Sequence, residues 1–228
     1  MAIRWLDDTV IYIDEAGYNR ELHAAAGYAV VGDPVIATGL SQKGLNLNVI
    51  AAMTPHEMLY WECSFESTDA NRYAKFIDSM IRSNPNLFNN EHCHLVHDGV
   101  PFHKSPQVLE VLDIQRLQHF FHVIPAYSPS LNAIENAWKV VRDNARARFS
   151  ELLDRSISLQ QLIEDSIRSV TKEQCQGFHK GVKDALASCL EERPLSMNSS
   201  SAEFSIGDRP LRFQCVEESA DSQQRPTA

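Results

Sequence analysis

At 228 residues and 43% hydrophobic content the chain is long enough for one catalytic-sized domain with a real core, and no run approaches the roughly 18 to 20 apolar residues of a membrane span. The first residues lack the apolar core and cleavage pattern of a signal peptide, so a soluble protein that is not secreted is expected. A net charge of −9 excludes coating of nucleic acid through bulk electrostatics, and any DNA binding must be local.

Residues 9 to 13, Thr-Val-Ile-Tyr-Ile, are β-branched or aromatic and predict a buried strand that stops at a polar turn, Asp14-Glu15-Ala16-Gly17. Further strands are predicted over residues 27–31, 45–52 and 58–65, close enough in sequence for an antiparallel meander. From Thr68 the pattern changes: Tyr73, Phe76, Ile77, Met80 and Ile81 recur at helical spacing, with Thr68-Asp69 as a cap and Asn84-Pro85 as a stop. A short strand over 93–97 then runs into Asp98, followed by a helix around 106–112 and a strand around 120–124 that breaks at Pro125. The clearest helix spans 133–149, with Ile134, Trp138, Val141, Ala145 and Phe149 on one face. Two weaker helices follow over 159–170 and 172–190, and past Arg193 the periodicity gives way to Ser, Glu, Gln and Pro. The order implies an α/β fold: a mixed sheet, antiparallel meander plus parallel strands, flanked by helices. Its expected divisions are a catalytic domain over 1–150, a helical extension over 151–192 and a disordered tail over 193–228.

Three acids occupy positions that this topology can gather. Asp14 is expected to end the first strand, Asp98 ends the strand after the first helix, and Glu135 opens the long helix. If the two strands are parallel neighbours, Asp14 and Asp98 approach each other, and a cation would relieve their repulsion. Magnesium suits such a site because it is hard, prefers oxygen ligands and keeps positions open for water and a phosphate. Two such ions serve in-line phosphoryl displacement. A solvated turn acid is the commoner reading for any one of the three taken alone. On the long helix, Lys139, Arg142 and Arg146 share nearly the azimuth of Glu135, a basic strip that could neutralise DNA phosphates or simply be a solvated face.

Three segments carry a family resemblance: IYIDEAGYN at 11–19, LVHDGVPFH at 95–103 and IPAYSPSLNAIENAW at 124–138. They resemble the first-aspartate strand, the second-aspartate segment and the third-acid block of the DDE superfamily endonuclease domain of mariner-like and related insertion-sequence transposases. The last block is the most specific, with Tyr127-Ser128-Pro129, Leu131-Asn132, Ile134-Glu135 and Trp138 all in register. The resemblance covers about residues 9–150 and implies a ribonuclease H-like fold, Asp14, Asp98 and Glu135 as catalytic metal ligands, and Mg2+ as cofactor with Mn2+ able to substitute. It further implies cleavage and joining of transposon-end and target DNA, a possible homodimer, and a nuclear location in a eukaryote or a cytoplasmic one otherwise. Gly99 stands where the pattern has Asn, Ala126 and Ala133 where it has Pro, and Ser130 where Asp is common. With the first motif so near residue 1, an end-reading helix-turn-helix is not expected in these residues, nor strong sequence specificity.

His97 and His103 flank Asp98 and either could orient a carboxylate or contact a phosphate; His103 is favoured because it sits where the family motif has its histidine. Asn19, Tyr127 and Ser128 rank as supporting residues, and Trp138 as core. His92, Cys93, His94 and His97 crowd one strand, but strand alternation splits them and no second ligand pair follows, so zinc is not expected. Cys63, Cys93, Cys175, Cys189 and Cys215 form an odd set without a CxxC pair, so reduced thiols are expected. Two alternatives stay open beside a transposase: a domesticated, catalytically weak remnant that binds DNA or protein, and a general ribonuclease H-like nuclease.

Overall fold

The computed structural model describes residues 9–19, 46–88, 93–117, 120–125 and 128–190. The strand predicted over 27–31, Tyr127, His92, Cys215 and the tail from 193 lie outside the described residues.

The first strand, β1, runs over Thr9–Tyr18, longer than its sequence suggested. Asp14 to Gly17 do not form a turn. They continue the strand because an antiparallel partner extends alongside, pairing Asp14 with Ala51 and Tyr18 with Leu47. That partner is β2 (Leu47–Met53), which pairs antiparallel with β3 (Met58–Ser64). Between β2 and β3, Thr54 Oγ1 accepts from the N–H groups of His56 and Glu57 at 3.1 and 3.2 Å, closing a tight turn.

Helix α1 (Ala70–Ser83) starts where Asp69 accepts from the N–H of Arg72 at 2.8 Å and ends at Asn84, whose N–H reaches the Ile81 carbonyl. One helical turn, α2 (Pro85–Phe88), follows. Strand β4 (Cys93–His97) lies parallel to β1, and β5 (Phe121–Val123) parallel to β4, with α3 (Pro106–Ile114) between them in sequence. The five-stranded sheet therefore has the order β3-β2-β1-β4-β5, with β1 central.

Residues 10–13 of β1 are buried on both sides, which is why they form a continuous apolar run rather than an alternation. Ile11 and Ile13 pack on Tyr73, Phe76, Ile77 and Met80 of α1 and on Val108 and Leu112 of α3. Val10, Tyr12, Ala16 and Tyr18 face the other layer, built from α4 (Ile134–Ala147), α5 (Phe149–Leu153), α6 (Leu159–Arg168) and α7 (Lys172–Leu190). The helix predicted to reach Phe149 breaks at Arg148, whose side chain binds Glu151 at 2.8 and 2.9 Å and Asp165 at 3.3 Å, tying α5 to α6. Leu152, Leu162, Ile163, Ile167 and Val182 share one core with α4. Cys63, Cys93, Cys175 and Cys189 are free thiols. Among the described residues no helix is long and apolar enough to cross a membrane.

Candidate active site

Alternation along β1 sends neighbouring acids to opposite sides of the sheet. Asp14 shares its parity with Tyr12 and Ala16 and points to the α4 layer, where its Oδ2 accepts from the indole N–H of Trp138 at 3.0 Å. Only 8% of Asp14 is exposed. Burial, then the negative charges of Glu135 and Glu15, push its carboxyl up to about 7 against the opposing hydrogen bonds. Trp138 is thus both the core residue that its helical spacing implied and a donor to Asp14, a role that no spacing signals.

The β1–β4 register pairs Thr9 with Cys93 and Tyr12 with Val96, so Asp14 and Asp98 each lie two residues past the last paired position. Asp98 lies just past β4, where its Oδ1 accepts from the Val100 N–H at 3.2 Å and pairs with His103 Nδ1 at 2.8 Å. His103 comes from a 3-10 turn over Pro101–Lys104 and is fully buried, stacked on Tyr73 with ring centroids 4.1 Å apart. Its Nε2 donates to Glu15 Oε1 at 2.9 Å. Burial alone would lower this imidazole, but its contacts with Asp98 and Glu15 raise it to about 9. Burial alone would raise the Asp98 carboxyl, yet His103 and the Val100 N–H hold it below the usual carboxylate value. Buried His97, with Nδ1 3.2 Å from His103 Nδ1, is pulled down to about 3 by burial and by the neighbouring imidazole, so it is neutral.

Glu135 sits in the first turn of α4, where a carboxylate complements the helix dipole. It lines a cleft of about 430 Å3 together with Asp98, Gly99, Val100, Ser128 and Asn132. Asn132 is 2% exposed and its Oδ1 has no hydrogen-bond partner among the described residues, an acceptor side chain left over at the cleft. Farther along α4, Lys139, Arg142 and Arg146 are exposed, opposite the buried Ile134, Ala137, Trp138, Val141 and Ala145. Lys139 contacts Asn136 at 3.3 Å and Arg146 pairs with Asp143 at 3.3 Å, both on the surface. Asn19 directly follows β1 and is half-buried.

The structure therefore brings Asp98 and Glu135 to one cleft and couples the charge of Glu135 to Asp14. Sequence reasoning missed Glu15, Tyr73 and Asn132. Glu15 stands in the quoted first motif, but only its position on the α1 side of the sheet reveals its partner. His94 of the crowded strand contacts His122 at 2.8 Å. Among the described residues, the group whose ligand atoms all lie within 4.8 Å of one another is His97, Asp98 and His103. A histidine must offer a deprotonated nitrogen to ligate, whereas both nitrogens of His103 face carboxylate oxygens as donors, so this group is a hydrogen-bonded network. Asp14, Asp98 and Glu135 are oxygen donors alone, but their oxygens do not all lie within 4.8 Å of one another. Asp14 in particular is a buried carboxyl crowded by acids, with Trp138 as its side-chain donor, which fits a hard divalent cation.

No curated protein matches the chain in sequence. Its fold is similar to that of Mos1 transposase in a paired-end complex with the left transposon end, at 17% identity and a TM-score of 0.58 over 80% of this chain and 55% of that one. It is similar likewise to a pre-cleavage Mos1 transpososome, at 15% identity and a TM-score of 0.58 over 83% and 57%. A third likeness is to the Mos1 catalytic domain with Raltegravir and Mg, at 15% identity and a TM-score of 0.55 over 80% and 82%. The chain spans little more than half the length of the Mos1 chains in the first two structures. These likenesses show the ribonuclease H-like fold, and the family model described as DDE superfamily endonuclease matches residues 9–156, well over half of the chain. The chain belongs to the DDE superfamily endonucleases.

Proposed function

We propose that this chain is the catalytic domain of a transposase that cuts and joins DNA, with Asp14, Asp98 and Glu135 holding divalent metal. The observation that carries the reading is the cleft shared by Asp98 and Glu135, with the charge of Glu135 felt at the buried Asp14 carboxyl. Bound magnesium, or manganese in its place, would polarise a phosphodiester and activate the attacking oxygen. The remaining work falls to side chains. Trp138 fixes Asp14, and His103 fixes Asp98. Asn132 and Ser128 line the place where a scissile strand would lie, and Gly99 leaves it open. Lys139, Arg142 and Arg146 would neutralise phosphates flanking the reacting one, the local attraction that an acidic protein needs. Water is the nucleophile for cleavage and a freed 3′ hydroxyl for joining. Asn19 would support the site from the end of β1, and Tyr127 belongs to the sequence block that carries Glu135. Transposon ends and target DNA are the partners, and a second copy of the chain would place two ends together.

A nicking assay with Mg2+ or Mn2+ tests this, comparing the native chain with Asp98→Asn on duplex DNA and on an RNA–DNA hybrid. The native chain should nick duplex DNA and the variant should not. Equal nicking by both discards the catalytic assignment, preference for the hybrid favours a ribonuclease, and inactivity of both favours a DNA-binding remnant.

A further inference from the structure

Asp98 presents a problem of position that Asp14 does not. Asp14 is held inside a strand, whereas Asp98 follows the last paired residue of β4 and its side chain is 38% exposed. Left alone, a carboxylate there would sample several rotamers, and a cation site tolerates little such freedom. The Val100 N–H restrains one oxygen, and the same oxygen meets His103 Nδ1. That ring is itself fixed: it stacks on Tyr73 at 28° and meets the edge of Phe102 at 4.4 Å, both buried or half-buried. Stacking fixes the plane of the ring, but rotation within that plane is set by what the far nitrogen bonds, and that partner is Glu15.

We propose that Glu15, acting through His103, is the positioning residue for the Asp98 carboxylate. This rests on the reading of Asp98 as a metal ligand. By alternation, β1 then serves both strand acids: Asp14 directly from its α4 side, and Asp98 from its α1 side through Glu15 and the imidazole. A carboxylate behind a histidine orients the ring and selects which nitrogen carries a proton, and loss of such outer partners typically costs about 10- to 100-fold in metal affinity. Glu15 is 20% exposed at its side chain, and Leu and Gln are close to it in size, so neither replacement opens a large void.

The test measures Mn2+ affinity of the full chain by electron paramagnetic resonance, beside its melting temperature, for the native protein, Glu15→Leu, Glu15→Gln and Asp98→Asn. Gln keeps a carbonyl acceptor for the His103 Nε2–H but removes the charge, while Leu removes both. Glu15→Leu should weaken Mn2+ binding about tenfold or more while the chain still melts cooperatively, at a temperature lowered by the unsatisfied His103 Nε2–H. Glu15→Gln should stay within about threefold of native, because the hydrogen bond rather than the charge does the positioning. Equal weakening by Gln and Leu would mean that Glu15 acts through charge alone and would overturn the proposal, as would native affinity in Glu15→Leu while Asp98→Asn loses the ion. Binding that Asp98→Asn leaves untouched would overturn the metal-site reading itself, and the relay with it.

Discussion

Asp14 carries the largest electrostatic strain at the site, and its consequences are measurable without substrate. Its carboxyl titrates at about 7 when folded, against 3.8 for an unperturbed aspartate. Between those values the folded chain holds a proton that the unfolded chain has released, so this contribution to stability falls as pH rises from 3.8 toward 7 and stays lost above it. His103, raised from 6.5 to about 9, contributes stability that is complete below 6.5 and lost as pH rises through about 9. His97, lowered to about 3, acts at the acid end: as pH falls below 6.5 the unfolded chain gains a proton that the buried ring refuses. The metal-free protein should therefore melt higher at pH 6 than at pH 9. Asp14→Asn should raise the metal-free melting point at pH 8, a gain of about 1 to 3 kcal/mol, since Asn still accepts from Trp138 and has no charge to bury. Calorimetry at the two pH values decides both, and a lower melting point for the variant refutes the strain argument. Gly99 offers a second residue-scale prediction. Among the described residues a β-carbon there would meet nothing closer than the Ile124 carbonyl oxygen at 3.7 Å, and the Gly99 φ lies outside the left-handed range. Gly99→Asn should accordingly fold, with a gain of about 0.4 to 1 kcal/mol from the stiffer unfolded chain. Chemical denaturation reads this directly.

Among the elements, α4 joins the acid cleft to the helical layer. Its apolar positions, Ile134, Trp138, Val141 and Ala145, were legible from three- and four-residue spacing because a buried helix face must repeat that way. The exposed Lys139, Arg142 and Arg146 follow from the same geometry. Replacing all three by alanine should lower duplex DNA affinity at low salt and reduce the slope of log affinity against log salt by about 2 to 3, some 0.9 for each phosphate no longer neutralised. Fluorescence anisotropy over a salt series supplies the slope, and an unchanged slope removes the strip from the DNA interface. Strand β1 was less legible. Its polar half, Asp14 to Gly17, looks like a turn in isolation, and only the pairing with β2 shows why it stays extended.

Across the molecule, the helices that composition set apart after residue 150 pack into the core that α4 shares with β1. Leu162 and Ile163 are fully buried there. Leu162→Ala should cost about 2 to 5 kcal/mol and lower the melting point of one cooperative transition, not of a separate late step. Two resolved transitions would show that α6 and α7 fold on their own account.

Local pattern along the chain was enough to specify the order of β1 to β5 with α1, α3, α4, α6 and α7 among the described residues, the caps of α1, the apolar face of α4 and three acidic motifs, because periodicity and capping are each written within a few consecutive turns. Which side chains meet across the sheet was set by the packing of distant segments. Trp138 reaches Asp14 across 124 residues and His103 reaches Glu15 across 88, meetings fixed by parallel pairing of β1 with β4 and by the side of the sheet each residue takes. No short stretch encodes them, since they depend on how remote elements stack rather than on what either one prefers.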